Sequence, residues 1–305
     1  MAQSISSRVW EGLACPECGS PLAQRDGGAY CAACQLTYPF LDNGQLDLRL
    51  QRPKTRAFQF ELGKPLLPSQ GFPFTVLIEN PHPAVDLDSA KIPWHLTRAL
   101  LSHFPKAKGS GALMLDLGCG DGVHRRAVEA FGFEWVGLDY TLPEAPIRGD
   151  AHALPFLDDS FEFVLSIAVL EHIQYPFVMA SEAYRVLQPG GLLIGTVSFQ
   201  EPFHNDSYYH HSHLATYNSL HSAGFEVLQV SPSPEWPALV AISEMALFRM
   251  MPGWMVRILI WPLQILHRIW WALGYAITKA ERSSEKYRVL STSGAFSFIA
   301  RKPNP

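Results

Sequence analysis

The chain has 305 residues, 48% of them hydrophobic and 17% charged, which excludes a disordered polymer and leaves room for one large α/β domain with a small appendage. Its 24 basic and 28 acidic side chains give a formal net charge of −4, so there is no electrostatic reason to expect nucleic acid as the main partner. The first twelve residues lack a charged-then-apolar pattern and a small-residue cleavage site, so the reading expects no secretory signal and a cytoplasmic protein.

Residues 8–49 read as short strands and turns, "LACPECGSPLAQRDGGAYCAACQLTYPFLDNGQLDL" forming their body. Cys15 and Cys18 make one Cys-x-x-Cys pair, Cys31 and Cys34 a second, with twelve residues between the pairs. Four thiolates on two tight knuckles meet the requirement for a closed tetrahedral zinc site, so a structural zinc is predicted. The fifth cysteine, Cys119, lies elsewhere, an arrangement that suits a reducing compartment and a metal. Residues 50–110 hold Pro53, Pro65, Pro68, Pro73, Pro81, Pro83 and Pro93, so they read as a linker with one helix, 92–104, leading into the core.

From residue 111 the pattern changes to short apolar runs alternating with helical stretches, the mark of a parallel sheet wrapped by helices. Strands are predicted at 112–117, 134–138, 161–167, 192–198, 226–230 and 295–301, giving a core at 111–232 completed by a last strand within 294–305. Residues 233–293 interrupt it and are too long and too apolar for an ordinary loop.

In "LMLDLGCGDGVHRRAV" a strand ends in Asp116, and Gly118, Gly120 and Gly122 alternate before a helix. Such a loop presents backbone amides and a helix N-terminus to a ligand. Alone it suits a dinucleotide as well as any other nucleotide-like cofactor. The second strand ends in Asp139, about twenty residues on, where an acid grips ribose hydroxyls.

Together, "DLGCGDG" at 116–122, Asp139, Gly149-Asp150-Ala151, "DDSFEFVLSIAVLEHI" and "EAYRVLQPGGLLIGTVSF" resemble the successive motifs of the small-molecule class I methyltransferases called type 11. The resemblance spans residues 112–230. It implies a Rossmann-like α/β sheet and S-adenosylmethionine as cofactor. It further implies that Gly118 and Gly120 hold the methionine part, that Asp139 binds ribose and that Asp150 accepts from the adenine amino group. Asp116, Cys119, Tyr140, Ala151 and Ile167 fall on the same pocket by the same resemblance. The cysteine unit resembles the zinc-ribbon family of methyltransferase activator subunits. Fused ribbons of this kind also occur in ribosomal RNA methyltransferases, which makes RNA the rival acceptor. Residues 8–49 carry three basic and five acidic side chains, so docking of the ribbon onto the core is the preferred reading.

Methyl transfer to an oxygen or nitrogen that carries a proton calls for a base near the strand ends. His172 follows the fourth strand, and "FQEPFHNDSYYHHSHLATYNSLHSAGFEV" holds His204, His210, His211, His213 and His221. His172, His210 and His211 are the catalytic candidates, with a cofactor-pocket or helix-start role as the preferred alternative for His172. Among the five loop histidines no cysteine or acid sits at a clean ligand spacing, so a metal there is disfavoured, and lid packing by Tyr208 and Tyr209 is the bland alternative.

Five of the eight tryptophans lie between Trp236 and Trp271. Arg257, Gln264, Arg268, Tyr275 and Lys279 share one narrow helical face, with apolar residues over the rest. Residues 240–290 carry seven basic and three acidic side chains. Uncharged stretches of about ten residues, interrupted by Arg257, His267 and Arg268 and with Pro252 and Pro262 as breaks, are too short to span a bilayer. A membrane surface or a lipid-linked acceptor held by residues 238–279 fits this composition, with the protein peripheral on the inner face of the membrane. A helical subdomain packed on the sheet or forming a homodimer contact is the alternative. The whole predicts methyl transfer to a small-molecule or lipid-linked acceptor, a non-catalytic scaffold of the same fold being the other rival.

Overall fold

A computed structural model describes residues 5–59, 74–88, 92–93 and 95–305. Of the linker prolines, Pro65, Pro68 and Pro73 lie outside the described residues, as does Trp94 within the predicted 92–104 helix.

A short helix, α1 (Ser7–Glu11), leads into the cysteine unit, a three-stranded antiparallel sheet of β1 (Ala23–Arg25), β2 (Gly28–Cys31) and β3 (Leu36–Pro39). The next strand, β4 (Leu46–Asp47), leaves this sheet and joins the large one. The predicted leading helix shrinks to α2 (Arg98–Leu101), whose N-cap Thr97 accepts from the Leu100 N–H. Apolar residues continue beyond it, but they pack as turn and loop.

The core strands are β5 (Leu113–Leu117), β6 (Glu134–Asp139), β7 (Ile147–Arg148), β8 (Phe161–Ile167), β9 (Leu187–Ser198), β10 (Glu226–Pro232) and β11 (Ala295–Arg301). They form one sheet in the order β10-β11-β9-β8-β5-β6-β7-β4, in which only β11 runs antiparallel to its neighbours. The central strands are nearly continuous apolar runs because helices and loops cover both their faces. From β5 the chain winds outward to β6 and β7, then returns to the other side as β8 and β9. That reversal opens a crevice at the C-terminal ends of β5 and β8, where ligands of doubly wound sheets bind. A depression lined by Arg8, Ser110, Glu162 and Gln188 lies at the opposite strand ends.

Three local expectations are corrected. The two-residue β7 was not expected, for it has no periodicity to show. The fifth core strand starts at Leu187 rather than 192, because the Pro189-Gly190-Gly191 turn is a bulge inside it, with Phe161 opposite Leu187 and Phe163 opposite Leu192. The helix after the glycine loop is only α3 (Arg125–Glu129), so the loop's own turn, not a helix terminus, lines the crevice.

Between β9 and β10 runs α5 (His213–Ser222), and before β9 runs α4 (Pro176–Val186). Glu182 on α4 is buried and accepts from the Leu154 N–H, while Arg185 donates to the carbonyls of Leu154 and Phe156. This network pins the segment between Asp150 and β8 to α4. The insertion contains α6 (Ala238–Ile242), a single π-turn (Ser243–Leu247), α7 (Gly253–Thr278) and α8 (Glu285–Ser291). Pro262 does not break α7; the helix passes through it over 26 residues. Pro262 and Ile258 are both exposed, so water can take the carbonyl left without its N–H partner. No helix among the described residues is long and apolar enough to cross a membrane.

Candidate active site and metal centres

The glycine loop is held by strand chemistry. Gly118 N–H and Cys119 N–H both donate to the Leu138 carbonyl, at 2.8 and 3.1 Å, tying the end of β5 to the end of β6. Gly118 has φ +73°, and a Cβ there would stand 2.5 Å from Val169 Cγ2. Only glycine allows this turn to close against the connection after β8. Asp116 is buried; its Oδ2 accepts from Trp135 Nε1 at 3.0 Å and lies 3.9 Å from His124 Nδ1, while Oδ1 has no partner among the described residues. Burial pushes its carboxyl up despite His124 and Trp135. Cys119 is also buried, which pushes its thiol up and leaves it unreactive.

Asp139 joins two loops. Its Oδ2 accepts from Gly120 N–H at 3.1 Å, and its Oδ1 from the N–H groups of Thr141 and Leu142 at 2.9 and 3.0 Å. Thr141 Oγ1 also donates to Oδ1, at 3.4 Å, so Oδ1 is fully used and the free acceptor position is on Oδ2, which carries one bond. Tyr140 is exposed, with the Arg49 guanidinium 5.5 Å from its ring centroid. Asp150 Oδ1 accepts from His152 N–H and from His152 Nδ1, at 2.9 and 2.7 Å. Burial raises its carboxyl, but the two His152 bonds outweigh this and hold it below the ordinary range. His152 Nε2 in turn accepts from the Tyr175 N–H at 3.1 Å, so the ring bridges the two loops. Ala151 and Ile167 are buried beside them. Ala168, next after β8, has φ +54° and donates to the Thr196 carbonyl and hydroxyl.

The loop after β9 folds back on the end of β8. Tyr208 and Tyr209 N–H groups donate to the Glu171 carbonyl, and His211 N–H to the Ser198 carbonyl. His211 is buried with Nε2 donating to the Leu170 carbonyl at 3.3 Å, and burial lowers its pKa. His210 is exposed. His172 is half-buried, its ring 5.4 Å from that of His204; burial and then His204 lower its pKa. Burial pushes the Glu171 carboxyl up to about 7. In the ribbon, the sulfurs of Cys15, Cys18, Cys31 and Cys34 all lie within 4.8 Å of one another. Cys34 N–H donates to Cys31 Sγ at 3.4 Å, an outer contact that steadies a thiolate.

Residues 115–195 match the methyltransferase domain family. That stretch of the chain is similar to methyltransferase domains. An uncharacterized methyltransferase of Mycobacterium marinum is 35% identical over 98 residues, covering 28% of this chain and 38% of that protein. One from Mycobacterium leprae is 32% identical over 97 residues, covering 28% and 36%. The chain thus spans under two fifths of the length of these relatives. Among solved structures, an S-adenosylmethionine-dependent methyltransferase from Mesorhizobium loti is 18% identical with a TM-score of 0.42, covering 71% of this chain and all of that one. A complex containing the Haloferax volcanii Trm112 methyltransferase activator is 20% identical with a TM-score of 0.47, covering 69% and 90%.

Within the matched stretch, the expected residues Asp116, Gly118, Cys119, Gly120 and Asp139 gather at the ends of β5 and β6, and Ile167 ends the neighbouring β8. The three candidate bases do not converge: His172 faces His204, His211 is tied to a carbonyl, and His210 is on the surface. Sequence reasoning missed His152 and Gln45. His152 sits two residues from Asp150 in "DAHALPF", a spacing that an Asx-type turn makes readable. Gln45 is buried in the ribbon and donates from Nε2 to the carbonyls of Leu142 and Ala145, at 2.8 and 2.7 Å. No local pattern announces such a contact.

Proposed function

We propose that the chain transfers a methyl group from S-adenosylmethionine to a small-molecule or lipid-linked acceptor in the cytoplasm, with one structural zinc in its ribbon. The observation that carries the reading is the Gly118–Val169 approach, which shapes a turn at the sheet's reversal point inside a stretch that matches a methyltransferase family. Bound there, S-adenosylmethionine supplies an activated methyl on a sulfonium and leaves as a neutral thioether.

The chain's own task is to align and to exclude water. Asp139 Oδ2, which accepts only from Gly120 N–H, has an acceptor position left for a ribose hydroxyl, and Asp150, kept ionised by His152, is suited to accept from an adenine amino group. Backbone groups of Gly118 and Gly120 line the methionine end. Of the candidate bases, His172 lies in the turn after β8, three residues from the Val169 that packs on Gly118, and its lowered pKa keeps the ring neutral near pH 7, with a lone pair to offer. The four cysteine sulfurs are the donor set of a closed tetrahedral zinc.

A lipid-linked acceptor is supported by α7. Only Val256 and Ile260 of its side chains are buried, while Trp261, Trp270 and Ile277 are 60, 73 and 81% exposed. Arg268 lies among them, as at an anionic lipid surface, while Arg257 is paired with Glu244 at 2.8 Å.

Calorimetry with S-adenosylmethionine tests the core of the proposal. One molecule should bind per chain, and Asp139→Asn should weaken binding about tenfold, since a lost hydrogen bond to a charged group is worth about 1.5 kcal/mol. Absence of binding to the unaltered protein overturns the proposal in favour of a scaffold.

A further inference from the structure

Read along the chain, the histidine-rich loop has no acid at ligand spacing; the fold brings one from elsewhere. Glu171 and His172 lie in the turn after β8, His204 in the loop after β9. One donor atom from each falls within 4.8 Å of the other two. Two imidazoles and a carboxylate arriving from separate segments are the donor set that holds a divalent first-row transition metal with positions left open.

Two observations separate this cluster from a chance meeting of polar residues. Glu171 is 1% exposed and its Oε2 has no partner among the described residues. Leaving a buried acceptor unpaired is unfavourable, and a cation removes the penalty. His204 Nδ1 donates to the Pro202 carbonyl at 3.1 Å, with the Glu201 carboxylate 3.8 Å away. That bond fixes the tautomer in which Nε2 keeps its lone pair. Metal-ligating histidines use outer partners of this kind. Glu201 is itself anchored by Trp236 Nε1 at 2.6 Å.

The geometry points to a divalent first-row transition-metal site formed by Glu171, His172 and His204, distinct from the four cysteines and beside the methyl-donor crevice. Its nearness to the crevice follows from Val169, two residues before Glu171, against which Gly118 packs. Imidazole nitrogens select a transition metal over magnesium or calcium. Three protein ligands leave places for water or for an oxygen donor of the acceptor, whereas the cysteine site is closed. A metal on His172 takes the lone pair that a base would use, so ligation and base catalysis by this residue are alternatives.

The test uses the full chain with zinc retained in its ribbon, titrated with Co2+ and followed by calorimetry and by metal analysis after gel filtration. One tight equivalent of cobalt beyond the zinc is expected. Glu171→Gln and His204→Asn should each remove it, a loss of at least a hundredfold in affinity, while zinc content stays at one per chain and reports an intact fold. Glu201→Gln should weaken cobalt by tenfold to a hundredfold through His204. No cobalt equivalent in the unaltered protein, or its retention in either ligand variant, overturns the site. Binding of S-adenosylmethionine is measured separately, so failure of the metal site and failure of the methyltransferase proposal give different results.

Discussion

At the scale of the residue, the glycine loop and the Asp150–His152 pair carry the sharpest consequences. Gly118→Ala places a methyl 2.5 Å from Val169 Cγ2 at φ +73°. The strained backbone alone costs about 1–3 kcal/mol, and the turn must open to relieve the contact. Urea unfolding should show a loss in that range, and calorimetry a cofactor affinity at least tenfold weaker. Unchanged affinity would remove the loop from the cofactor site. Asp150 behaves differently because its effect depends on pH. Its folded pKa lies below the unfolded value of about 3.9, so the unfolded chain binds the proton more tightly. The pair's contribution is complete above that unfolded value and falls away as pH drops through the folded pKa. Asp150→Asn should therefore flatten the acid limb of the stability curve below about pH 4 and leave the curve at pH 7–8 nearly parallel to that of the unaltered protein. An acid limb as steep as before would show that the His152 bonds do not control this carboxyl.

Legibility changes at the scale of the element. β5, β8 and β11 could be read because each is an apolar run of five to seven residues bounded by turn residues. The two-residue strands β4 and β7 could not, since each is defined by its partner and not by its own pattern. The same holds in the site. Asp116 to Gly122 is a local motif, whereas the meeting of Glu171 with His204 depends on a loop folding back across the end of β8. α7 shows how one expectation failed. Proline was read as a break, but a helix with an exposed flank can leave one carbonyl to water. Its inner seam is short, made of Val256 and Ile260 against Val240. Ile260→Ala should destabilise the insertion by about 2 kcal/mol, seen as faster amide exchange in α6 and α7. Trp270→Ser, at an exposed position, should change stability by no more than about 0.5 kcal/mol. Replacing Trp261 and Trp270 together should reduce flotation with anionic vesicles. Undiminished flotation would reject the membrane-facing reading of α7.

For the whole molecule, the question is whether the ribbon is a separate module or part of the core. Leu13, Leu22, Leu46 and Leu48 are buried and share one apolar cluster with Leu115, Leu138 and Phe161 of the large sheet. At roughly 1.5–3 kcal/mol for each leucine removed from water, an upper bound for a chain that is partly compact when unfolded, these four alone approach the 5–15 kcal/mol net stability of a typical domain. Backbone bonds add to the join: Leu46 N–H to the Pro146 carbonyl, Leu48 N–H to the Arg148 carbonyl, and Ala14 N–H to the Pro155 carbonyl. Gln45 extends the coupling to the cofactor side, for the carbonyls it holds follow directly on the turn that Asp139 organises. Cys18→Ser removes the most exposed of the four sulfurs without disturbing the apolar cluster directly. If the ribbon is integral, this variant should lose zinc, melt at a lower temperature in one transition, and lose exchange protection at Ile147 and Arg148 as well as within β2. Cofactor affinity should fall with it, because the 142–145 turn loses its anchor. Gln45→Ala should reproduce the affinity loss while keeping the zinc. Two separate melting transitions, with cofactor affinity unchanged after zinc loss, would instead make the ribbon an independent module.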